Sequence, residues 1–468
     1  MYYTSNAMAD NKTAKKIEKA GKKLYTSEMH AINIARHHVS RKRFSRFLRI
    51  LGPGLVTGAA DDDPSGIATY SQAGARFGFS LLWVFPIIFP MLLAVQESCS
   101  RIGAVTGKGL AAVIKDHYSK SLLYSAVTLV VIANTINIGA DLGAMAAAMN
   151  LVTPVPIIVW AVIFAVSIVL LEIFVSYRRY AKILKWLAIS LFAYPITAFL
   201  IGQSWGDVMR ATFTLPDRLG FDMIYLYVAI LGTTISPYLF FWDTSETVEN
   251  EIQERRLSEN GKAPTITKHY LKSIRTDNLV GMSLTILTAW FIVIVCASVL
   301  YANGTTEIRT AADAARALEP LVQDFPYAGT IAKALFSVGV VGIGLLAIPV
   351  LAGSSSYAIS EAAGWKEGLH RKYKRAKAFY LVIAGATFIG LLLNLIGIDP
   401  IQALIFTAVF NAIAAVPLLL LIARIGSNKN IMGQYTNGIV SNVFVRLTFT
   451  VMGVSTLILF YALATGKA

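Results

Sequence analysis

Long apolar runs separated by short polar stretches dominate the chain. Eleven of them are long enough to cross a hydrocarbon core of roughly 30 Å, which takes about 20 helical residues. They lie near 49–75, 80–104, 121–149, 154–175, 183–203, 223–249, 279–302, 329–358, 376–398, 401–424 and 443–464, numbered here as spans 1 to 11. This pattern predicts an all-α integral membrane protein with 11 transmembrane helices. Residues 1–48 differ, being polar and rich in Lys and Arg, without the apolar core of a secretory signal. Met8 reads as a natural start, which would make the residues before it a cloning remnant.

Short basic loops stay cytoplasmic, so Lys and Arg set the orientation. Lys15, Lys16, Lys22 and Lys23 precede span 1; Lys108, Lys115 and Lys120 follow span 2; Arg178, Arg179 and Lys182 follow span 4. Arg255, Arg256 and Lys272 follow span 6; Arg371, Lys372 and Lys374 follow span 8; Arg424 and Lys429 follow span 10. The opposite loops hold only Arg210, Arg218, Arg309 and Arg316 in their two longer members. The expected topology has the N-terminus in the cytoplasm and the C-terminus outside an inner membrane.

Spans 1 and 6 are interrupted where a lipid-facing helix would be continuous. Span 1 contains Ala60-Asp61-Asp62-Asp63-Pro64-Ser65-Gly66, in which Pro64 removes a donor and pushes Asp63 from helical torsions. Span 6 contains Gly232-Thr233-Thr234-Ile235-Ser236-Pro237 at a corresponding depth. Breaks at matching places, five helices apart, point to a secondary transporter built from inverted repeats with its site at the midplane. The expected division is a basic tail (1–48), a first five-helix half (49–203), an inverted second half (223–424) and an extra helix (443–464).

Composition narrows the chemistry. The chain has 468 residues, 55% hydrophobic and only 15% charged, against roughly a quarter charged in soluble domains. Its 42 Lys and Arg exceed 27 Asp and Glu, but they sit in the tail and loops, where they meet lipid headgroups rather than nucleic acid. Cys99 and Cys296 lie far apart in apolar surroundings, which excludes a disulfide framework and a CxxC centre. No nucleophile and base pair, HExxH or GxxxxGK[ST] loop marks an enzyme. The expected partners are divalent metal ions and the lipid bilayer, with no cofactor beyond the transported ion.

A carboxylate at the bilayer centre costs about 2.5 to 3.5 kcal/mol even on the lenient insertion scale, so Asp61, Asp62 and Asp63 need a cation or a wet cavity. Adjacent helical residues point about 100° apart, so the three cannot share one ligand. Asp63, next to the break, is the expected ion ligand; Asp61 and Asp62 either cap the break, line a vestibule or serve the ion. Opposite it, Ser236 offers a hydroxyl, and Thr233 offers a hydroxyl or the carbonyl that Pro237 releases. Gln96, Glu97, Glu246 and Glu249 are candidates for an exit path, and Asn411 for a polar group near the ion.

From Gly52 to the end the chain resembles the NRAMP family of divalent-metal transporters. The resemblance is densest in Gly52-Pro53-Gly54, Asp63-Pro64, Gln72-Ala73-Gly74-Ala75, Phe77-Gly78, Leu81-Leu82-Trp83 and Arg101-Ile102-Gly103-Ala104-Val105-Thr106-Gly107-Lys108. It implies a LeuT-type fold, 5+5 inverted helices plus one, with helices 1 and 6 broken. The departures fall on the family's metal motifs. Asp-Pro-Gly-Asn reads Asp63-Pro64-Ser65-Gly66, so the ligand Asp is kept and the ligand Asn is Gly66. Met-Pro-His reads Ser236-Pro237-Tyr238, and a second histidine of that helix is Asp243. In span 3 a family acid matches Asp141, but the glutamate expected three residues on is Ala144. By resemblance, Asp63 and the Thr233 carbonyl carry over as ligands.

Losing a thioether removes discrimination against hard ions. Ser and Gly also leave a roomier site, suited to Mg²⁺, which dehydrates reluctantly and takes octahedral oxygen at about 2.0–2.1 Å. This pattern resembles the NRAMP-related magnesium transporters. All six histidines, His30, His37, His38, His117, His269 and His370, fall in the tail or connections, so none lies along the path to relay protons. The acids Asp141 and Asp243 are the remaining relay candidates, with helix packing or a vestibule as their alternative role. Two charges entering down 100 mV gain about 4.6 kcal/mol, enough for roughly a thousandfold accumulation without coupling. The expected function is uptake of Mg²⁺, with Mn²⁺, at Asp63, Thr233 and Ser236, supported by Tyr238. The alternatives are a proton-coupled Mn²⁺/Fe²⁺ importer and a LeuT-type symporter for amino acids or amines.

Overall fold

The computed structural model describes residues 58, 60–175, 191–216, 220–254, 256, 257, 264, 266–397 and 399–465. The basic tail, the start of span 1, residues 183–190 of span 5 and the loop cations Arg178, Arg179, Lys182, Arg218 and Arg255 lie outside the described residues.

Every regular element among the described residues is helical. The order is α1 (Pro64–Phe77), α2 (Val84–Thr106), α3 (Leu110–His117), α4 (Lys120–Asn150), α5 (Ile157–Phe174), α6 (Ala193–Leu200), α7 (Trp205–Phe213) and α8 (Phe221–Thr234). Then follow α9 (Pro237–Gln253), α10 (Lys268–Val299), α11 (Ala311–Arg316), α12 (Ala328–Ala363), α13 (Lys377–Leu393), α14 (Pro400–Ser427) and α15 (Ile439–Ala464). Among the described residues eight helices, with Phe221–Gln253 taken as one, are long and apolar enough to cross a membrane. Pro64–Leu81 and Val84–Thr106 add a ninth crossing if taken as one span, although the chain bends by 114° between them.

Helix length exceeds the apolar runs at several ends. α10 begins at Lys268, eleven residues before the expected start of span 7, because the polar turns Lys268–Asn278 continue the helix past the apolar segment. α12 has 36 residues, about 54 Å at 1.5 Å per residue, which overshoots the hydrocarbon core. The short α11 is closed by a capping box in which Thr310 and Asp313 satisfy each other's backbone donors.

Burial sorts the helices into rim and core. The apolar window of α5 is only 28% buried, with Val162, Val166 and Leu170 turned outward as a lipid-facing helix requires, whereas that of Phe221–Gln253 is 83% buried. α8 packs on α14 and α1, α9 on α2 and α12, and α4 on α12, α13 and α14. The approach of α8 to α14 is close enough that a side chain on Gly232 would strike the Ala408 carbonyl. Small residues at such crossings are how membrane helices gain packing energy. Here the crossing sets the last turn of α8 beside α1.

Candidate ion-binding site

Both interruptions follow from proline. Pro237 has no N–H, so the carbonyl of Thr233 loses its donor four residues on, and the helix stops at Thr234 and restarts at Pro237. Ile235 (φ −111°, ψ 66°) and Ser236 (φ −82°, ψ 134°) leave helical torsions. The Ser236 hydroxyl fills the gap by donating to the carbonyls of Thr233 at 2.7 Å and Gly232 at 2.9 Å. In span 1, residues 60 and 61 are helical, and the chain leaves the helix at Asp62 and Asp63 before Pro64 begins α1.

Asp63 is the hinge of the site. As N-cap of α1, its Oδ1 accepts from the Gly66 amide at 2.8 Å and the Ser65 hydroxyl at 2.6 Å. Its Oδ2 accepts from Asn137 Nδ2 on α4 at 3.0 Å. Ser65 also lies 3.0 Å from Thr233 Oγ1, and Tyr70 OH lies 2.8 Å from Thr234 Oγ1, so the two breaks face each other. Asp63 is 1% exposed and its described partners are all neutral. Gly66 packs closely between the breaks: a Cβ there would sit 3.2 Å from the Tyr70 ring, 3.4 Å from Thr233 Oγ1 and 3.6 Å from Asp63 Oδ1. Thr233 thus reaches Asp63 through Ser65, and Ser236 joins them through its bond to the Thr233 carbonyl.

The other candidates fall at graded distances. Asp61 is fully buried and neither carboxylate oxygen has a hydrogen-bond partner among the described residues; Asp62 leaves one oxygen in that state. Tyr238 lies within electrostatic range of Asp63 but hydrogen-bonds elsewhere. Its hydroxyl donates to the Ala60 carbonyl at 3.1 Å, tying the residues before the first break to α9. Asp141, one turn beyond Asn137 on the same face of α4, interacts electrostatically with Asp63, and both its oxygens lack a hydrogen-bond partner among the described residues. Asn411 is buried with both amide atoms unpartnered, next to Ala412, which packs on Gly232. Asp243 belongs to another cluster, two turns along α9: Ser100 on α2 donates to it and accepts from Asn278 on α10 at 2.8 Å.

Sequence reasoning passed over Ser65 and Asn137. The signal for Asn137 was present as a polar stripe, Asn134, Asn137 and Asp141, at helical spacing in an otherwise apolar helix. Glu361 was also missed; it accepts from Ser245 Oγ at 2.7 Å and the Ala112 amide at 3.1 Å. With Glu249, Glu367 and His370 it lines a cavity of about 240 Å³ at one end of the bundle. Glu249 accepts from Tyr357 OH and, at 3.1 Å, from the His370 amide, while Glu97 pairs with Arg101 and Arg275. Gln96 is buried without a partner for its amide among the described residues. A larger cavity of about 730 Å³, lined by Phe77, Gln203 and Tyr301 among others, also includes none of the break residues.

Chemically, the break offers one firmly placed carboxylate, two hydroxyls and backbone carbonyls, all hard oxygen donors without sulfur. Among the described residues no three His, Cys, Asp or Glu side chains converge into a metal cage. Such a site holds a cation only with water completing the shell.

Residues 54–462 match the family model described as natural resistance-associated macrophage protein-like. The chain is 28% identical over 439 residues to the divalent metal cation transporter MntH of Ralstonia nicotianae, covering 90% of this chain and 93% of that one. It is 27% identical over 408 residues to MntH of Bacillus subtilis, covering 84% and 87%. In structure it is similar to the manganese transporter of Eremococcus coleocola, with a TM-score of 0.72 at 17% identity over 89% of this chain and 86% of the other. MhsT bound to L-phenylalanine shares the fold more distantly, with a TM-score of 0.57 at 12% identity over 87% and 98%.

Proposed function

We propose, from the premise that this chain belongs to the natural resistance-associated macrophage protein-like (Nramp) family, that it carries Mg²⁺, and Mn²⁺ beside it, into the cell by alternating access without a coupled proton. The coarser part stands on the family itself: a multi-pass membrane protein that transports divalent metal cations. The two broken spans are the first helices of inverted halves, 49–203 and 223–424, with 443–464 outside them. The basic loops place the N-terminus inside the inner membrane and the C-terminus outside.

One observation carries the choice of ion. The hydrogen-bond partners of the buried Asp63 among the described residues are all neutral, and the residue closing the facing break is Ser236 rather than a thioether. Oxygen donors with one fixed charge suit a hard ion that keeps part of its hydration shell. Asp63 supplies charge, Thr233 and Ser236 supply neutral oxygen, and retained water completes the shell. Tyr238 holds the first break against α9.

In proteoliposomes, excess Mg²⁺ is expected to suppress Mn²⁺ uptake, and Asp63→Ala to bring uptake of both ions to the level of empty vesicles. Mn²⁺ uptake indifferent to Mg²⁺ would favour a second reading, a proton-coupled Mn²⁺/Fe²⁺ importer. The unpartnered carboxylates of Asp61 and Asp141 support that reading, since each is placed to take a proton.

A further inference from the structure

Asn137 has half of its hydrogen-bonding capacity unused. Its Nδ2 donates to Asp63 Oδ2 at 3.0 Å, while its Oδ1 is buried with no partner among the described residues. A buried amide oxygen left bare is a rare expense unless a further group comes to meet it. The last torsion of an asparagine side chain is soft and roughly two-fold. A half-turn therefore exchanges the two amide atoms with little movement of the rest.

The exchange places Oδ1 where Nδ2 now lies, 3.0 Å from Asp63 Oδ2. Adjacent corners of an octahedron with bonds of about 2.0–2.1 Å are about 2.8–3.0 Å apart. The spacing that now serves an N–H···O bond is therefore the spacing that two oxygens need to share one Mg²⁺. One turn on along α4, Asp141 has two oxygens with no partner among the described residues. On the other side of Asp63, Gly66 brings no side chain to the ion.

We propose that Asn137 is a ligand of the transported divalent cation, donating its N–H to Asp63 when the site is empty and turning its carbonyl oxygen to the ion when it is filled. This rests on the reading that Asp63 binds the ion. A purely supporting role for Asn137, that of orienting Asp63 through its N–H, makes the opposite prediction for one substitution. Asn137→Asp deletes that N–H but keeps an oxygen for the ion and adds charge.

The test compares the parent, Asn137→Asp, Asn137→Ser and Asp63→Ala in proteoliposomes, measuring KM and maximal rate with Mg²⁺ and Mn²⁺, after confirming that each variant is monodisperse. The expected results are a lower KM with a slower maximal rate for Asn137→Asp, and a KM raised more than about threefold for Asn137→Ser. An Asn137→Asp KM equal to or above the parent's overturns the proposal, as does an Asn137→Ser KM within about threefold of it. If the charged variant does not assemble, the serine variant decides alone. Transport surviving in Asp63→Ala would sink the underlying reading instead, which keeps the two failures apart.

Discussion

At the scale of single residues, the balance is between the cost of a buried carboxylate and the gain from a cation. Asp63 accepts from three neutral donors, the Ser65 hydroxyl, the Gly66 amide and Asn137, which orient its carboxylate. On the proposed function Ser236 sets the class of ion, because an oxygen donor does not discriminate against hard Mg²⁺ as a thioether does. Ser236→Met is therefore expected to raise by about tenfold the Mg²⁺ needed to half-suppress Mn²⁺ uptake, a shift read directly in a competition assay. The breaks at Asp63 and Ser236 were legible in the sequence because each lies beside a proline, whose missing donor also frees the carbonyl of Thr233 four residues before Pro237. Asn137 was not, because a polar stripe of Asn134, Asn137 and Asp141 reads as helix packing until the fold sets Asn137 against Asp63. Asp141 carried a family match, and its spacing of one turn from Asn137 was legible, but its nearness to Asp63 was not.

At the scale of elements, the breaks have local causes. Thr233 lost its helical donor to Pro237, and Ser236 substitutes a hydroxyl for it. Pro237→Ala restores an N–H that can reach the Thr233 carbonyl, which adds a backbone bond of about 0.5–1.5 kcal/mol to the continuous helix. Mn²⁺ affinity is expected to fall by up to about tenfold, measured by calorimetry on the purified variant; unchanged affinity would show that the break does not depend on the missing donor. The apolar runs were legible because a bilayer demands about 20 apolar residues per crossing. The helix ends were less so: hydropathy cannot see the polar turns that extend α10 back to Lys268. The short α7, with Met209 and Phe213 exposed, fell between spans for the same reason.

At the scale of the whole molecule, a chain of net charge +15 keeps a set of acids, Glu249, Glu361 and Glu367, around one cavity at an end of the bundle. One of them lies outside the membrane-spanning helices and reports on pH. Burial, and then the neighbouring Glu361 and Glu249, push the Glu367 carboxyl well above its ordinary value, against a smaller opposing effect of Arg371 and Lys115. The unfolded chain releases that proton near pH 4.3 and the folded chain at higher pH, so between the two values the unfolded state holds fewer protons and stability falls as pH rises. Glu367→Gln is expected to flatten the decline of melting temperature from about pH 6 to about pH 8; a variant as pH-sensitive as the parent would assign the decline elsewhere. The whole transporter is best tested in one vesicle preparation that carries a Mg²⁺ indicator and a pH indicator together, under an inside-negative potassium diffusion potential. The account predicts a rising Mg²⁺ signal with no acidification of the lumen, whereas Mn²⁺ entry accompanied by acidification, with Mg²⁺ excluded, would contradict it.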